Sequence, residues 1–163
     1  MYIRTATMED LERVTAAEAE SFPTAEAATR ESFQKRLSHY GDHFWLLFDG
    51  DRLVSFVNGM VTDISDLADE MYQRAELHDE KGAWQMIFGV VTVPEYRRQG
   101  CAEEVLRHAI REAERQGRAG LVLTCKETLI HYYAKFGFRD EGVAHWSDHG
   151  GAVWNQMRLT FSK

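Results

Sequence analysis

Residues 93–102 have the sequence VPEYRRQGCA, and they join a dense apolar run to a long amphipathic segment. The run over 86–93 is typical of a strand buried on both faces. The segment over 100–116 carries apolar residues at four-residue steps, Val105, Ala109 and Ala113. Four-residue steps place these residues on one face of a helix. The sequence therefore predicts a buried strand that passes directly into a long helix at this turn.

The turn itself has the chemistry of an anion site. The first backbone N–H groups of a helix are free and carry the positive end of its dipole, so they bind phosphate without help from side chains. Gly100 permits close approach to the backbone, and Arg97 and Arg98 add positive charge. The turn lacks both the G-x-x-x-x-G-K-[ST] loop and the G-x-G-x-x-G loop. In a competing interpretation, Pro94 and Gly100 only punctuate the chain and the arginines are solvated.

Further elements are predicted on both sides of this unit. They are a strand over 2–5, helices over 7–22 and 29–39, a hairpin of strands 43–48 and 53–61, a strand over 120–124, a helix over 128–136, and strands over 138–145 and 152–161. The order β-α-α-β-β-β-α-β-α-β-β predicts an α+β domain with a mixed sheet and about four helices. The polar segment 63–81 is weakly helical and has no clear role in the core.

Composition narrows the class of protein. The 163 residues hold 19 Lys and Arg against 26 Asp and Glu, a net charge of −7, and no linker divides them, so 1–163 is predicted to be one domain. The acidic balance argues against a general nucleic-acid binder. Cys101 and Cys125 form neither a disulfide framework nor a zinc site, so we expect a cytoplasmic protein without a metal. No run reaches the roughly 18 apolar residues of a membrane span, and no leader is evident.

Two blocks of sequence together resemble one family. The turn matches [RQ]-x-x-G-x-[GA], the acetyl-CoA signature of the GNAT acetyltransferases, in Arg97-x-x-Gly100-x-Ala102. The preceding strand is similar to that family's L-x-V-x-P-x-Y-R, in Val90-x-Thr92-x-Pro94-x-Tyr96-Arg97. Downstream, the family's Y-x-x-x-G-F is matched by Tyr133-x-x-x-Gly137-Phe138. One block alone is weak, but both at this separation strongly favour the GNAT superfamily.

The resemblance implies a centrally splayed sheet that binds acetyl-CoA as co-substrate. The pantetheine arm would enter the splay as a pseudo-strand along the backbone of Val90, Val91 and Thr92. Beside Arg97, the pyrophosphate would meet the backbone of Arg98, Gln99, Gly100, Cys101, Ala102 and Glu103. Thr124, at the end of the next buried strand, would border the thioester.

The resemblance also implies direct attack of an amine on the acetyl carbonyl, with both reactants held side by side. Tyr133 occupies the general-acid position, where a phenol protonates the departing thiolate. In a competing interpretation Tyr133 is a half-buried aromatic residue, like its neighbour Tyr132. The central strand offers no base, because Gln85, Met86 and Phe88 stand where many members have Glu or His. Candidate bases elsewhere are Asp63, His78, Asp79, Glu80, His145 and His149.

The acceptor side most resembles the aralkylamine N-acetyltransferase branch, in residues 19–23, 124–127 and 149–154. Phe22 and Pro23 match the acceptor-facing segment between the first two helices. An aromatic pocket would draw on Trp84, Phe88, Trp146 and Trp154, unless these residues only fill the core. Acidic residues crowd the segment before the central strand and would form a mobile flap that attracts cations, or else a solvated loop.

The sequence therefore predicts an acetyl-CoA-dependent N-acetyltransferase for a small primary amine with an apolar or aromatic body. We expect neither nucleic-acid nor membrane partners, and a homodimer stays open. Two alternatives remain. One is an acyl-CoA-binding sensor without transfer activity, which the missing central-strand base favours. The other is an N-acetyltransferase for proteins or peptides, in which a groove would replace a closed pocket.

Overall fold

The structure is a computed structural model that describes residues 1–147 and 151–162. Its four α-helices are α1 (Leu11–Ser21), α2 (Arg30–Tyr40), α3 (Cys101–Arg115) and α4 (Ile130–Ala134). The strands are β1 (Tyr2–Thr5), β2 (Phe44–Asp49), β3 (Arg52–Asn58), β4 (Val61–Thr62), β5 (Trp84–Ile87), β6 (Gly89–Thr92), β7 (Gly120–Cys125), β8 (Arg139–Val143) and β9 (Asn155–Thr160).

The strands form two sheets. The first has the order β1-β2-β3-β6 and is antiparallel throughout. The second has the order β4-β5-β7-β9-β8, in which β5 and β7 are parallel and the other pairs antiparallel. Helix α3 connects the two sheets and packs on β2, β3 and β6. The predicted α+β class with a mixed arrangement of strands and four helices is confirmed.

The central strand is split between the sheets. The sequence predicts one strand over 86–93, but β5 belongs to the second sheet and β6 to the first, with Phe88 between them. The predicted strand 53–61 is likewise divided into β3 and β4. Within the described ranges no strand pairs with β6 on the side away from β3, so β6 and β7 diverge after Ile87. The splay implied by the family resemblance therefore lies between β6 and β7.

A glycine lies where the two divided strands run side by side between the sheets. A Cβ atom on Gly59 would lie 1.7 Å from the carbonyl oxygen of Met86, so no side chain fits there. We expect Gly59→Ala to lower the free energy of unfolding by about 3 kcal/mol, because the backbone of β5 must move. Urea unfolding measures this loss. The control is Gly50→Asn, at a hairpin glycine with φ of +59° and open surroundings, where asparagine tolerates the backbone. Equal stability of the two variants would contradict this account of the split.

Local signals place the first two helices as predicted. The Asp10 carboxylate accepts the Thr7 N–H at 2.8 Å before α1, and α1 ends immediately before Phe22 and Pro23. The Thr29 hydroxyl caps α2 by accepting the Ser32 N–H at 3.1 Å. None of the helices in the described parts of the chain is long and apolar enough to cross a lipid bilayer.

The segment 63–81 contributes to the core, and the expectation that it has no clear role there is wrong. Leu67, Met71 and Ala75 are buried and pack in one cluster with Met86 and Val122. Met71 and Ala75 lie in two short 3-10 turns, over Asp69–Tyr72 and Ala75–Leu77. The three residues stand at four-residue steps, the spacing of one helix face, so a signal for their burial was present in the sequence.

Candidate active site

A continuous groove follows the splay from the N-terminus of α3 to α2. It consists of four adjoining cavities, which we call the turn, strand, Tyr133 and Arg36 cavities. Their volumes are about 440, 370, 110 and 100 Å³ in that order. Each cavity shares walls with the next, through Thr92, then Val90 and Phe22, then Phe88 and Gly89.

The turn cavity lies at the N-terminus of α3. Its walls are Thr92, Tyr96, Arg97, Arg98, Gly100, Cys101, Ala102, Glu103, Tyr132 and Lys135. Gly100 has φ of +81° and Arg98 has φ of +64°, so the backbone reverses sharply before the helix. The Glu103 carboxylate lies 2.7 Å from Lys135 Nζ, so its negative charge is paired. Of the residues predicted for the pyrophosphate, only Gln99 is absent from the walls, and its amide donates to the Glu95 carbonyl.

The strand cavity exposes the free edge of β6. The Val93 N–H donates to the Val54 carbonyl, and since backbone groups of a strand alternate, Val91 faces β3 while Val90 and Thr92 face the splay. Val90 and Thr92 accordingly line the cavity. The predicted third residue, Val91, is buried, and its carbonyl accepts the Ser55 hydroxyl at 2.6 Å. It lies behind the groove rather than along it.

The Tyr133 cavity brings together residues from distant parts of the chain. Its walls are Glu18, Phe22, Glu26, Tyr72, Phe88, Gly89, Val90, Thr124, Cys125, Leu129, Tyr133 and Trp154. Tyr133 is 8% exposed, and burial raises the pKa of its phenol, so it stays protonated at neutral pH. Within the described residues no hydrogen-bond partner is found for this hydroxyl. The Thr124 hydroxyl lies 3.0 Å from that of Tyr72.

Sequence reasoning missed two acidic residues in this cavity, Glu18 and Glu26. Glu18 is 6% exposed, and burial raises the pKa of its carboxyl although Oε2 accepts the Ala28 N–H at 2.8 Å. Glu26 is paired with Lys126 Nζ at 2.8 Å. A signal for Glu18 existed, because it lies four residues after Val14 on the apolar face of α1.

The bases proposed from the sequence lie elsewhere. His78 and Glu80 hydrogen-bond each other at 2.9 Å, and Arg118 pairs with Glu80 beside the start of β5. Asp63 accepts the Ala83 N–H at that same end, opposite to Thr124. Asp79 is also absent from the groove walls, and His145 is exposed. His149 lies outside the described residues.

The predicted acceptor residues divide into two groups. Phe22, Phe88 and Trp154 line the Tyr133 cavity. Pro23 is exposed and does not line it, but its carbonyl accepts the Glu26 and Ala27 N–H groups in the loop that carries Glu26. Trp84 packs beneath the Arg158 guanidinium, and Trp146 is exposed, so neither contributes to the pocket.

The acidic side chains of the predicted flap do not line the groove, although Tyr72 and Gln73 of the same segment do. Several of its carboxylates have cationic partners: Glu70 pairs with Arg74, Glu80 with Arg118 and Asp66 with Arg158. The negative charge that faces the groove near Tyr133 comes instead from Glu18 and Glu26.

Comparison with known proteins identifies the family. A model of the acetyltransferase (GNAT) domain matches residues 2–140. The chain belongs to the GNAT acetyltransferase family. A search of curated protein sequences found no match. The GNAT fold is shared with many solved structures.

The loading GNATL domain of CurA from Lyngbya majuscula is 15% identical, with a TM-score of 0.84 over 98% of this chain and 96% of that one. The GphF GNAT-like decarboxylase, solved with isobutyryl-CoA, is 17% identical, with a TM-score of 0.83 over 98% and 99%. The ribosomal-protein-S18-alanine N-acetyltransferase from Escherichia coli is 20% identical, with a TM-score of 0.74 over 99% and 94%. At these identities the likeness shows the fold alone.

Proposed function

We propose that this GNAT protein transfers the acetyl group of acetyl-CoA to a small primary amine with an apolar or aromatic body. One observation carries the proposal: a single cavity at the splay contains both an unpartnered, protonated phenol, Tyr133, and a buried carboxylate, Glu18. An acid and a base on one small cavity are what amine acetylation requires.

The groove residues fit acetyl-CoA. Nothing lies within 4 Å of the position that a Cβ on Gly100 would take, so the helix N–H groups behind it are open to a diphosphate. The edge of β6 at Val90 and Thr92 pairs with no strand in the described residues and offers backbone partners to the amides of the pantetheine arm, although the Thr92 carbonyl already accepts from Arg97 Nε at 3.3 Å. When bound there, acetyl-CoA supplies an activated acetyl group next to Thr124 and Tyr133. One neighbour in fold, GphF, was solved with isobutyryl-CoA, which supports this assignment.

Gly100→Val tests the turn cavity. We expect it to raise the KM for acetyl-CoA at least about 10-fold, because a branched side chain keeps the diphosphate from the backbone. Steady-state kinetics with varied acetyl-CoA measures the effect. Gly117→Val is the matched control, since Gly117 has φ of +82°, equally open surroundings and a position beyond the other end of α3. An unchanged KM, or equal effects in both variants, would show that the diphosphate binds elsewhere.

The residues of the Tyr133 cavity have separate roles in the proposed reaction. Glu18 binds the incoming ammonium and accepts one of its protons, which leaves a neutral amine. The amine nitrogen forms the new C–N bond to the acetyl carbon, and the C–S bond breaks. Tyr133 donates its proton to the departing sulfur, and the amide nitrogen loses its remaining extra proton to solvent. No covalent enzyme intermediate is needed.

The size of the two inner cavities and the polarity of their walls define the acceptor. Phe22, Phe88 and Trp154 provide aromatic walls, and Glu18 provides negative charge for a protonated amine. The Tyr133 and Arg36 cavities are small, about 110 and 100 Å³, which favours a small molecule over a peptide. Aralkylamines are the simplest compounds with this combination, in line with the branch that the sequence resembles.

An amine screen tests the proposed function. Purified protein is incubated with acetyl-CoA and single amines, and release of the coenzyme thiol is recorded. We expect turnover with amines that carry aromatic or branched apolar bodies, and little with polyamines. Saturable acetyl-CoA binding without thiol release from any amine would instead identify the sensor alternative. Turnover confined to peptides would identify the protein N-acetyltransferase alternative.

A further inference from the structure

A buried arginine on α2 lies at the inner end of the groove without an ion pair. Arg36 is 4% exposed and lines the Arg36 cavity. Its Nη1 donates to Asn58 Oδ1 at 3.0 Å and its Nη2 to the Tyr72 carbonyl at 2.9 Å. In the described part of the chain its Nε has no hydrogen-bond partner and no carboxylate pairs with it. A buried, unpaired charge costs several kcal/mol in general, so a persistent one calls for a partner.

The side-chain amide of Asn58, next to Arg36, also has a donor group without an acceptor. Asn58 is 1% exposed, and because its Oδ1 accepts from Arg36, its Nδ2 must point the other way, towards Gly89. That nitrogen also has no partner among the described residues. The rings of Phe33 and Phe88 lie 5.4 and 5.1 Å from the Arg36 guanidinium and hold it in place, but rings provide no oxygen. Two buried donor groups without an acceptor thus belong to residues that line the Arg36 cavity.

The walls of the same cavity also include two acidic residues, Glu18 and Glu26. Glu18 lines both the Arg36 cavity and the Tyr133 cavity, and it forms no ion pair with Arg36. The two groups therefore face one cavity without a direct ion pair, although the Arg36 charge offsets part of the rise in the pKa of the Glu18 carboxyl. A ligand that contains an ammonium group and a carboxylate would satisfy both. A simple aralkylamine would satisfy only Glu18.

We propose that the acceptor is an amino acid with an apolar or aromatic side chain, whose carboxylate binds Arg36 and Asn58 while its amine faces Glu18; this inference rests on the proposed function. A carboxylate is favoured over a neutral carbonyl because it compensates the guanidinium charge and forms charge-assisted hydrogen bonds. The side chain would lie against Phe22 and Trp154, which line the adjoining cavity.

Three acceptors that share one aromatic body test the inference. The probes are phenylalanine, phenylalaninamide and 2-phenylethylamine, and thiol release gives kcat/KM for each. We expect phenylalanine to exceed 2-phenylethylamine by about 10-fold or more, with the amide between them. Equal values for phenylalanine and 2-phenylethylamine would overturn the inference and leave the proposed function intact. The absence of thiol release from every amine would instead refute the proposed function.

Two variants assign the preference to this site. Asn58→Asp keeps the oxygen that accepts from Arg36 and provides a carboxylate that pairs with the guanidinium. We therefore expect the preference for phenylalanine over 2-phenylethylamine to fall to about 2-fold or less, with thermal stability retained. Arg36→Met removes the charge and should do the same. Arg30→Met is the control, since Arg30 is exposed on the same helix and pairs with Glu12. If either Asn58→Asp or a folded Arg36→Met keeps the full preference, the carboxylate site is refuted.

One further titration identifies the molecule that carries the carboxylate. Isothermal titration compares acetyl-CoA with malonyl-CoA, whose acyl group ends in a carboxylate. We expect malonyl-CoA to bind no more tightly than acetyl-CoA, because the carboxylate belongs to the acceptor. Tighter binding of malonyl-CoA that disappears in Arg36→Met would overturn the acceptor assignment.

Discussion

Replacement of Tyr133 by phenylalanine is expected to lower kcat about 100-fold while the affinity for acetyl-CoA stays nearly unchanged. The phenol lines the Tyr133 cavity, and burial raises its pKa, so the proton is present at neutral pH. Phenylalanine keeps the ring and its packing against Phe138 but cannot donate. Thiol release sampled at fixed times gives kcat, and isothermal titration gives the affinity for acetyl-CoA.

Tyr132→Phe is the matched control for this change. Tyr132 is adjacent in sequence and lines the strand cavity, but it is absent from the walls of the Tyr133 cavity. We expect its kcat to stay within about 2-fold of the unmodified protein. Equal turnover of Tyr133→Phe and the unmodified protein would reduce Tyr133 to a packing residue.

Glu18→Gln is expected to have opposite effects on activity and stability. It removes the proposed base, so kcat should fall about 100-fold or more. Burial raises the pKa of the Glu18 carboxyl above its unfolded value, so folding disfavours the ionised form. The contribution of the Glu18 carboxyl to the free energy of unfolding is then fully present at low pH, and it is lost as the pH rises through the raised pKa. A glutamine carries no charge and still accepts the Ala28 N–H, so at neutral pH the urea midpoint should increase.

The pH dependence separates the two roles of Glu18. In the unmodified protein kcat should rise with pH through the raised pKa of Glu18, and in Glu18→Gln this rise should be absent. Glu12→Gln serves as a control, because Glu12 is exposed on the same helix and pairs with Arg30. A normal kcat in Glu18→Gln would exclude Glu18 as the base. Lower stability of this variant than of the unmodified protein would show that the buried carboxylate does not destabilise the fold.

The order of elements was predictable because its signals are local. The Thr29 cap and the stop before Pro23 depend on residues a few positions apart. The splits in the two long strands were not predicted, although Asn58-Gly59 and Gly89 interrupt the apolar runs at those points. What divides these strands is the close approach of Gly59 to the Met86 carbonyl, a contact between residues far apart in sequence.

The residues of the candidate site likewise fall into two groups, those that sequence motifs predicted and those that they did not. Motif spacing predicted residues that the structure places along one groove, among them Gly100, Thr124 and Tyr133. Glu18 and Arg36 were not predicted, because each is a charged residue on a helix face that is otherwise apolar. Arg36 lies three residues after Phe33 and four before Tyr40, on the buried stripe of α2. Charge at such a position is the signal that a closer reading of helical periodicity would find.

The central claim is that the backbone along β6 and the start of α3 binds acetyl-CoA. Isothermal titration of acetyl-CoA into the purified protein tests it most directly. We predict saturable binding to one site with micromolar affinity, weakened at least about 10-fold by Gly100→Val and unchanged by Gly117→Val. Absence of saturable binding to the unmodified protein, or identical affinities in all three proteins, would contradict the claim.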